Sequence, residues 1–329
     1  YFAARRLFAR TSLVHRQKST AAEICESLLS HRTYNATLVG GGTLVFKPRF
    51  IEFLHKAACV WKLPLGFIGT GVVDLSFREG TAYKSSAALP NVERWLEVLG
   101  AAGVLTVRGP MSAEILRGVG LFPKVVGDMA LALYEERRDA PAERIAVAPA
   151  IPLPPAWGGE RQLEAFFVQL VLQLTTLGYE VIVLPAFVGD VAFARQVVQQ
   201  VHSSHSSLRF PVELVDSTRR ACSYLDLVSE CKMVIGVKLH TVVAAAARGV
   251  PGVMLSYRPK CEDFMRSIGM TEYSIRLDRA SVGDVVEAVN EIDEQYDVLC
   301  SSLVERVVLL KGRIEQATRE YLDLVYREC

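Results

Sequence analysis

Lys238, Leu239 and His240 interrupt the apolar stretch VIGVKLHTVVAAAARGVP (Val234–Pro251) just where its small-residue half begins. A buried segment has no use for a cation and an imidazole at that junction, whereas a site for an anion does. Other positions share the pattern. VLTV is followed by Arg108, VMLSY by Arg258 and Lys260, and NATLV by Gly40, Gly41, Gly42 and Thr43. The types suit one chemistry: arginine clamps carboxylate or phosphate with a planar fork, and lysine supplies a point charge. Consecutive glycines let backbone N–H groups approach an oxyanion, and a helix start adds partial positive charge. A histidine at such a start can carry a proton in either direction. Each element also has an ordinary structural reading. Arg108 pairs with a carboxylate such as Asp128, the glycines make a tight turn, and the histidine is a satisfied structural group.

The elements that must hold these residues follow from periodicity. Short apolar runs without polar alternation, each followed by a glycine-containing break and an amphipathic stretch, fit parallel strands buried on both faces. The runs are Ala36–Gly40, Leu65–Gly69, Val104–Val107, Ile145–Ala148, Glu180–Leu184, Val212–Val215, Met233–Val237 and Val253–Ser256. Leu163–Leu177, Arg220–Glu230, Thr241–Arg248 and a closing Ser301–Arg327 read as helices, with Gly249 and Pro251 ending the third. Strands alternating with helices predict an α/β fold of right-handed β-α units. Five prolines between Pro141 and Pro155 mark a linker near Ala140, which predicts two Rossmann-like domains facing a cleft, 1–139 and 140–329. Ligands of such sheets bind outside the carboxyl ends of the strands, where the residues above fall.

Composition narrows the classes. Thirty-seven lysines and arginines against 36 aspartates and glutamates exclude a global basic field for nucleic acid. Seven cysteines without a C-x-x-C pair give no support to zinc or thioredoxin chemistry and fit free thiols in a reducing compartment. His202 and His205 in HSSH have metal-like spacing but no acidic or thiol partner nearby, and are expected in a solvated loop. GTGVVD is half of a dinucleotide fingerprint; the full G-x-G-x-x-G and the P-loop are absent. No apolar run reaches the roughly 18 residues of a membrane span. The Arg-rich start, without an acid before Glu23, reads as a transit-like segment or an amphipathic first helix. Because the chain opens on Tyr1, upstream residues are expected to be missing.

In order and spacing, LVGGGTLV, VRGPMSAEILRGVG with VVGDMAL, VLPAFVGD, and VIGVKLHTVVAAAARGVPGVMLSYRPKCEDFMRSIG resemble the polysaccharide pyruvyl transferases over most of the chain after Tyr34. The resemblance implies a GT-B-like fold and transfer of the enolpyruvyl unit of phosphoenolpyruvate onto two hydroxyls of one sugar, giving a cyclic ketal. It implies His240 as the catalytic proton carrier. Arg108, Lys238, Leu239, Lys260 and the loop Gly40, Gly41 and Gly42 would hold phosphoenolpyruvate. The first domain would take the acceptor, a hexose-containing glycan that includes lipid-linked precursors, with Val72–Pro90 among its lining loops. The second would take the donor. No metal and no cofactor besides the donor substrate are implied, and the expected setting is exopolysaccharide or cell-wall synthesis in the cytoplasm, including the membrane surface.

Two departures stand out. Many members carry arginine where this chain has Lys238, and many open with a Gly-Asn-x-Gly-Asp type loop that is not found before Tyr34. Two further readings stay open. One is a GT-B glycosyltransferase for a nucleotide sugar, with Lys260 on the diphosphate and Glu262 on a ribose hydroxyl. The other is a non-catalytic glycan-binding relative.

Overall fold

The computed structural model describes residues 35–79, 91–137, 142–153, 156–157, 163–204, 211–218 and 220–328. The Arg-rich start and His205 lie outside them, as do most of the loop 72–90 and part of the proline cluster. The described chain forms two compact units. One comprises residues up to Ser76, the stretch ending at Leu133 and the segment from Leu309 onward. The other comprises Phe77 and the residues from Tyr134 to Val308. The division after Leu133 precedes the expected linker, and the end of the last helix counts with the first unit.

In the first unit, β1 (Thr37–Gly40) and β2 (Thr43–Val45) lead into α1 (Pro48–His55), which continues as a π-helical turn to Val60. β3 (Leu65–Val72) follows, then α2 (Leu75–Glu79), α3 (Val92–Gly100), β4 (Val104–Val107), α4 (Pro110–Arg117) and β5 (Lys124–Val125). All five strands are parallel in the order β1-β3-β4-β5, with β2 against the end of β3. Every residue of β3 is buried, as expected for a central strand covered on both faces. The core beneath it gathers Phe46, Phe67, Trp95, Leu99 and Leu116.

The second unit runs β6 (Ala142–Ala148), α5 (Leu163–Thr176), β7 (Glu180–Val183), α6 (Val191–Ser204), β8 (Glu213–Leu214) and α7 (Ala221–Ser229). It continues with β9 (Cys231–Gly236), α8 (Leu239–Ala246), β10 (Gly252–Ser256), α9 (Pro259–Ser267), β11 (Ser274–Arg276), α10 (Val282–Glu294) and α11 (Tyr296–Glu328). The sheet is parallel throughout in the order β11-β10-β9-β6-β7-β8. The order reverses between β6 and β9, the doubly wound arrangement whose ligand crevice opens at that reversal.

Local chemistry explains several boundaries. Gly249, at φ +65°, turns the chain out of α8, and Val250 N–H donates back to Ala245 O at 2.9 Å. Ser281 and Asp284 form a reciprocal capping box at α10. Along α11 the buried apolar positions are Leu303, Val307, Leu310, Ile314, Ala317 and Tyr321, alternating four and three residues apart on one stripe. In the first unit Gly66 and Gly103 leave room for Tyr321 and Leu324 of that helix.

The sequence reading differs in particulars. Three short strands, β2, β5 and β11, were not expected, because two or three residues carry no period. α11 starts at Tyr296 rather than Ser301. His202 sits in the last turn of α6 and not in a loop, its Nε2 3.0 Å from Val212 O.

Gly69 marks a break in the β3–β4 register. It has φ +63°, and a Cβ there would lie 2.7 Å from Gly127 O. Gly69→Ala is expected to cost about 2–3 kcal/mol from left-handed strain and backbone overlap. Urea unfolding reads it, and an unchanged midpoint would show that the β3–β4 bulge yields freely.

Candidate functional site at the carboxyl edges of the sheets

Each sequence-derived residue lies at or a few residues beyond the carboxyl end of a strand, divided between the units. Gly40, Gly41, Gly42 and Arg108 belong to the first unit, and Lys238, Leu239, His240 and Lys260 to the second.

In the first unit the turn after β1 meets the ends of β3 and β4. Gly71 N–H donates to Gly42 O at 2.7 Å, and Arg108 Nη2 donates to Thr43 Oγ1 at 3.1 Å. A Cβ at Gly71 would stand 2.6 Å from Arg108 Nη2, so this glycine leaves the guanidinium its place. Arg108 is 1% exposed, Asp128 Oδ2 lies 3.9 Å from its Nη1, and its Nε is buried without a partner. The pairing with Asp128 is therefore present, at long range.

The glycines have structural uses of their own. Gly41 and Gly42 adopt φ of +58° and +62°, where other residues are strained. Gly40 pairs within β1 opposite Ile68 and admits the Met129 side chain, while Gly41 N–H approaches Ile68 O at 3.4 Å. α4 then starts at Gly109 and Pro110 with no side chain capping it.

In the second unit Lys238 is the N-cap of α8, extended at φ −76° and ψ 128°, and no side chain caps the helix. Its first N–H groups have no intrahelical acceptor, the ordinary condition of an anion-accepting helix start. The helix comes this close to β9 because of Gly236, where a Cβ would lie 2.7 Å from the Thr241 side chain. Leu239 is buried and points its apolar side chain into the fold, so only its backbone is suited to a ligand. His240 is exposed on the first turn.

One turn meets both polar members of this segment. After β7, the loop carrying Phe187 and the short helix Val188–Asp190 sets the Phe187 ring edge-on to His240, with centroids 5.3 Å apart. It also sets Asp190 Oδ1 3.7 Å from Lys238 Nζ. Lys238 Nζ donates to Ile151 O beyond β6 at 3.3 Å, so groups following β6, β7 and β9 meet at the strand-order reversal. Burial raises the Asp190 carboxyl above the usual carboxylate range, and the Lys238 charge only partly opposes this.

β9 and β10 are direct parallel neighbours, so α8 and α9 start side by side along one sheet edge. Arg258 is the N-cap of α9, its side chain makes no hydrogen bond to the helix start, and its Nη2 donates to Leu153 O instead. Arg258 and Lys260 flank the Tyr257 ring at 4.7 and 5.1 Å, a geometry for cation–π attraction.

Asp190 and Phe187 were missed as site residues. They stand in the quoted VLPAFVGD, but an acid after an apolar run gives no hint that a lysine about fifty residues later will face it. Also unflagged was a group of His55, Cys59 and Glu97, whose ligand atoms lie within 4.8 Å of one another. His55 Nε2 and Glu97 Oε2 pair at 2.8 Å, which explains the contact as an ordinary link between α1 and α3. A cavity of about 390 Å³ in the first unit is lined by Thr106, Lys124, Arg313, Gln316 and Glu320 and contains none of the expected residues.

Two parallel sheets with their basic residues at strand ends define an α/β protein of the GT-B-like class. Solved structures agree on the fold. UDP-GlcNAc 2-epimerase from Neisseria meningitidis bound to UDP-GlcNAc superposes with TM-score 0.58 at 14% identity, over 98% of this chain and 87% of that one. The S. aureus MnaA-UDP co-structure gives 0.57 at 15% identity, over 98% and 86%. Anabaena Alr3699/HepE in complex with UDP-glucose gives 0.52 at 13%, over 92% and 82%. Such identities carry the fold alone.

The family model for polysaccharide pyruvyl transferase matches residues 10–259, and the chain belongs to that family. A curated relative, the amylovoran biosynthesis protein AmsJ of Erwinia amylovora, is 20% identical over 140 residues. That stretch is 42% of this chain and 34% of AmsJ, about a third of the relative's length. Among the described residues, no helix is long and apolar enough to cross a membrane.

Arg108→Met removes the cation beside buried Asp128 and the partner of Thr43. A loss of about 2–4 kcal/mol is expected in urea unfolding. An unchanged stability would show that Arg108 is not part of the first unit's framework.

Proposed function

We propose that the protein transfers the enolpyruvyl unit of phosphoenolpyruvate to a hexose-containing glycan, forming a pyruvate ketal and releasing phosphate. The observation that carries this reading is the Lys238–His240 segment. A cation and an exposed imidazole occupy the uncapped start of α8, where the strand order reverses. Membership of the family gives the reaction its class.

The chemistry asks for three things. Phosphoenolpyruvate brings a carboxylate and a phosphate, which Lys238, Lys260 and the first N–H groups of α8 would receive. The enol carbon must then gain a proton. His240, as imidazolium, would deliver it to the methylene, leaving an oxocarbenium-like centre at the neighbouring carbon. One sugar oxygen attacks that centre, and attack by a second expels phosphate. The two hydroxyl protons balance the proton given to the methyl group and the one that leaves with phosphate, so His240 ends as it began. A positioned acid–base group of this kind is worth roughly 10²–10⁴-fold in rate.

Phe187, edge-on to the ring, restricts how His240 turns. Lys238 provides charge without the bidentate fork that arginine offers in many relatives, so orientation of the donor falls more heavily on the helix start and on Lys260.

His240 is exposed on a first turn, so His240→Ala is expected to leave the unfolding midpoint unchanged while lowering turnover by about 10²–10⁴-fold. Collapse of the fold would instead assign the ring a structural job. Thermal shifts supply the ligand test, with UDP and GDP as controls because the similar structures hold UDP compounds. Stabilisation by phosphoenolpyruvate and not by nucleotides supports the reading. Stabilisation by UDP alone would replace it with a nucleotide-sugar glycosyltransferase.

A further inference from the structure

Asp190 has no place in the chemistry above, yet its carboxyl is buried at a cost. It is 7% exposed, its Oδ2 is buried with no hydrogen-bond partner, and its Oδ1 lies 3.7 Å from Lys238 Nζ. A buried acceptor without a donor is destabilising, and a buried carboxylate is more so unless a cation stays beside it. The cation that faces it is the lysine at the start of α8.

We propose that Asp190 is a positioning residue for the anion site at that helix start: it holds Lys238 in place between ligands and surrenders it when an anion binds. The inference rests on the anion reading of the Lys238–His240 segment and deepens it. The Lys238 ammonium is shared between Asp190 and Ile151 O, which keeps a long flexible side chain beside the N–H groups of α8. An arriving phosphate or carboxylate competes for the same ammonium. Once Lys238 turns to the ligand, Asp190 is left buried without its cation, and the Tyr224 hydroxyl of α7, near enough to sense its charge, is the other titratable group on that side. Burial pushes that hydroxyl up to about 12, so it stays neutral and supplies no compensating charge.

A carboxylate stranded near a bound anion is relieved by taking up a proton, and burial already raises its pKa. Anion binding is thus coupled to proton uptake at Asp190. Because the folded-state value is raised, the ionised carboxylate weakens the fold at neutral pH. The stability it lends is present below the unfolded carboxyl pKa and is lost as pH rises through the folded one.

The test is calorimetric titration of the full chain with phosphoenolpyruvate near pH 7 in two buffers of different ionisation enthalpy, comparing wild type with Asp190→Asn. The expected result is binding with net proton uptake in the wild type. In Asp190→Asn the uptake falls and affinity rises by roughly 5- to 10-fold, the effect of removing one competing charge. An unfolding midpoint that holds or rises in Asp190→Asn supports the same account, since the amide has no charge to desolvate. Equal affinity and equal uptake in the two proteins overturn the positioning role and leave the anion site standing. A lowered midpoint or failure to fold makes Asp190 part of the framework and overturns the role as well. If wild type binds no phosphoenolpyruvate at all, the anion reading falls with the inference built on it.

Discussion

A parallel sheet buried on both faces leaves polar chemistry one place to go, the edge where its strands end. β3, β9 and β10 have almost no exposed side chain along their length, so each can present charge only after its last residue. The strand must then turn sharply into a helix packed on the sheet. Gly236 permits this after β9 by letting Thr241 close in, and Gly71 permits the guanidinium of Arg108 to lie across the first unit's edge. Turn geometry selects the glycines at these edges, and the edge is also where a charge can leave a sheet buried on both faces.

Much of this was legible in the sequence. Unbroken apolar runs located the long strands within a few residues, and Arg108, Lys238, His240 and Lys260 do follow the strand ends where those runs put them. Two kinds of information stayed hidden. Strands of two or three residues, such as β5 and β11, show no period and are created by pairing with a neighbour. Contacts between distant loops are also invisible: Asp190 is only the last residue of VLPAFVGD in the sequence, and the strand order brings β7 near enough to β9 for it to face Lys238. Leu239 shows the opposite limit, since it stands between Lys238 and His240 while its side chain serves the core.

The fold and the family speak to different questions. The similar solved structures hold UDP compounds in a GT-B-like frame, at identities that carry no chemistry. What separates one use of this frame from another is which groups stand on the strand-order reversal. Here they are a lysine with a buried acid at its side and a histidine edged by an aromatic ring. The proposed enolpyruvyl donor, a small polyanion whose transfer moves one proton, asks for a cation and a proton carrier of this kind. A nucleotide demands in addition a place for its base and ribose.

The most direct measurement is release of inorganic phosphate from phosphoenolpyruvate in the presence of glycans ending in different hexoses, with the sugar product analysed in parallel. The account predicts phosphate release that depends on one class of acceptor and matches, mole for mole, the pyruvate ketal appearing on it. Phosphate release absent with every acceptor, in a protein that binds UDP, would contradict it.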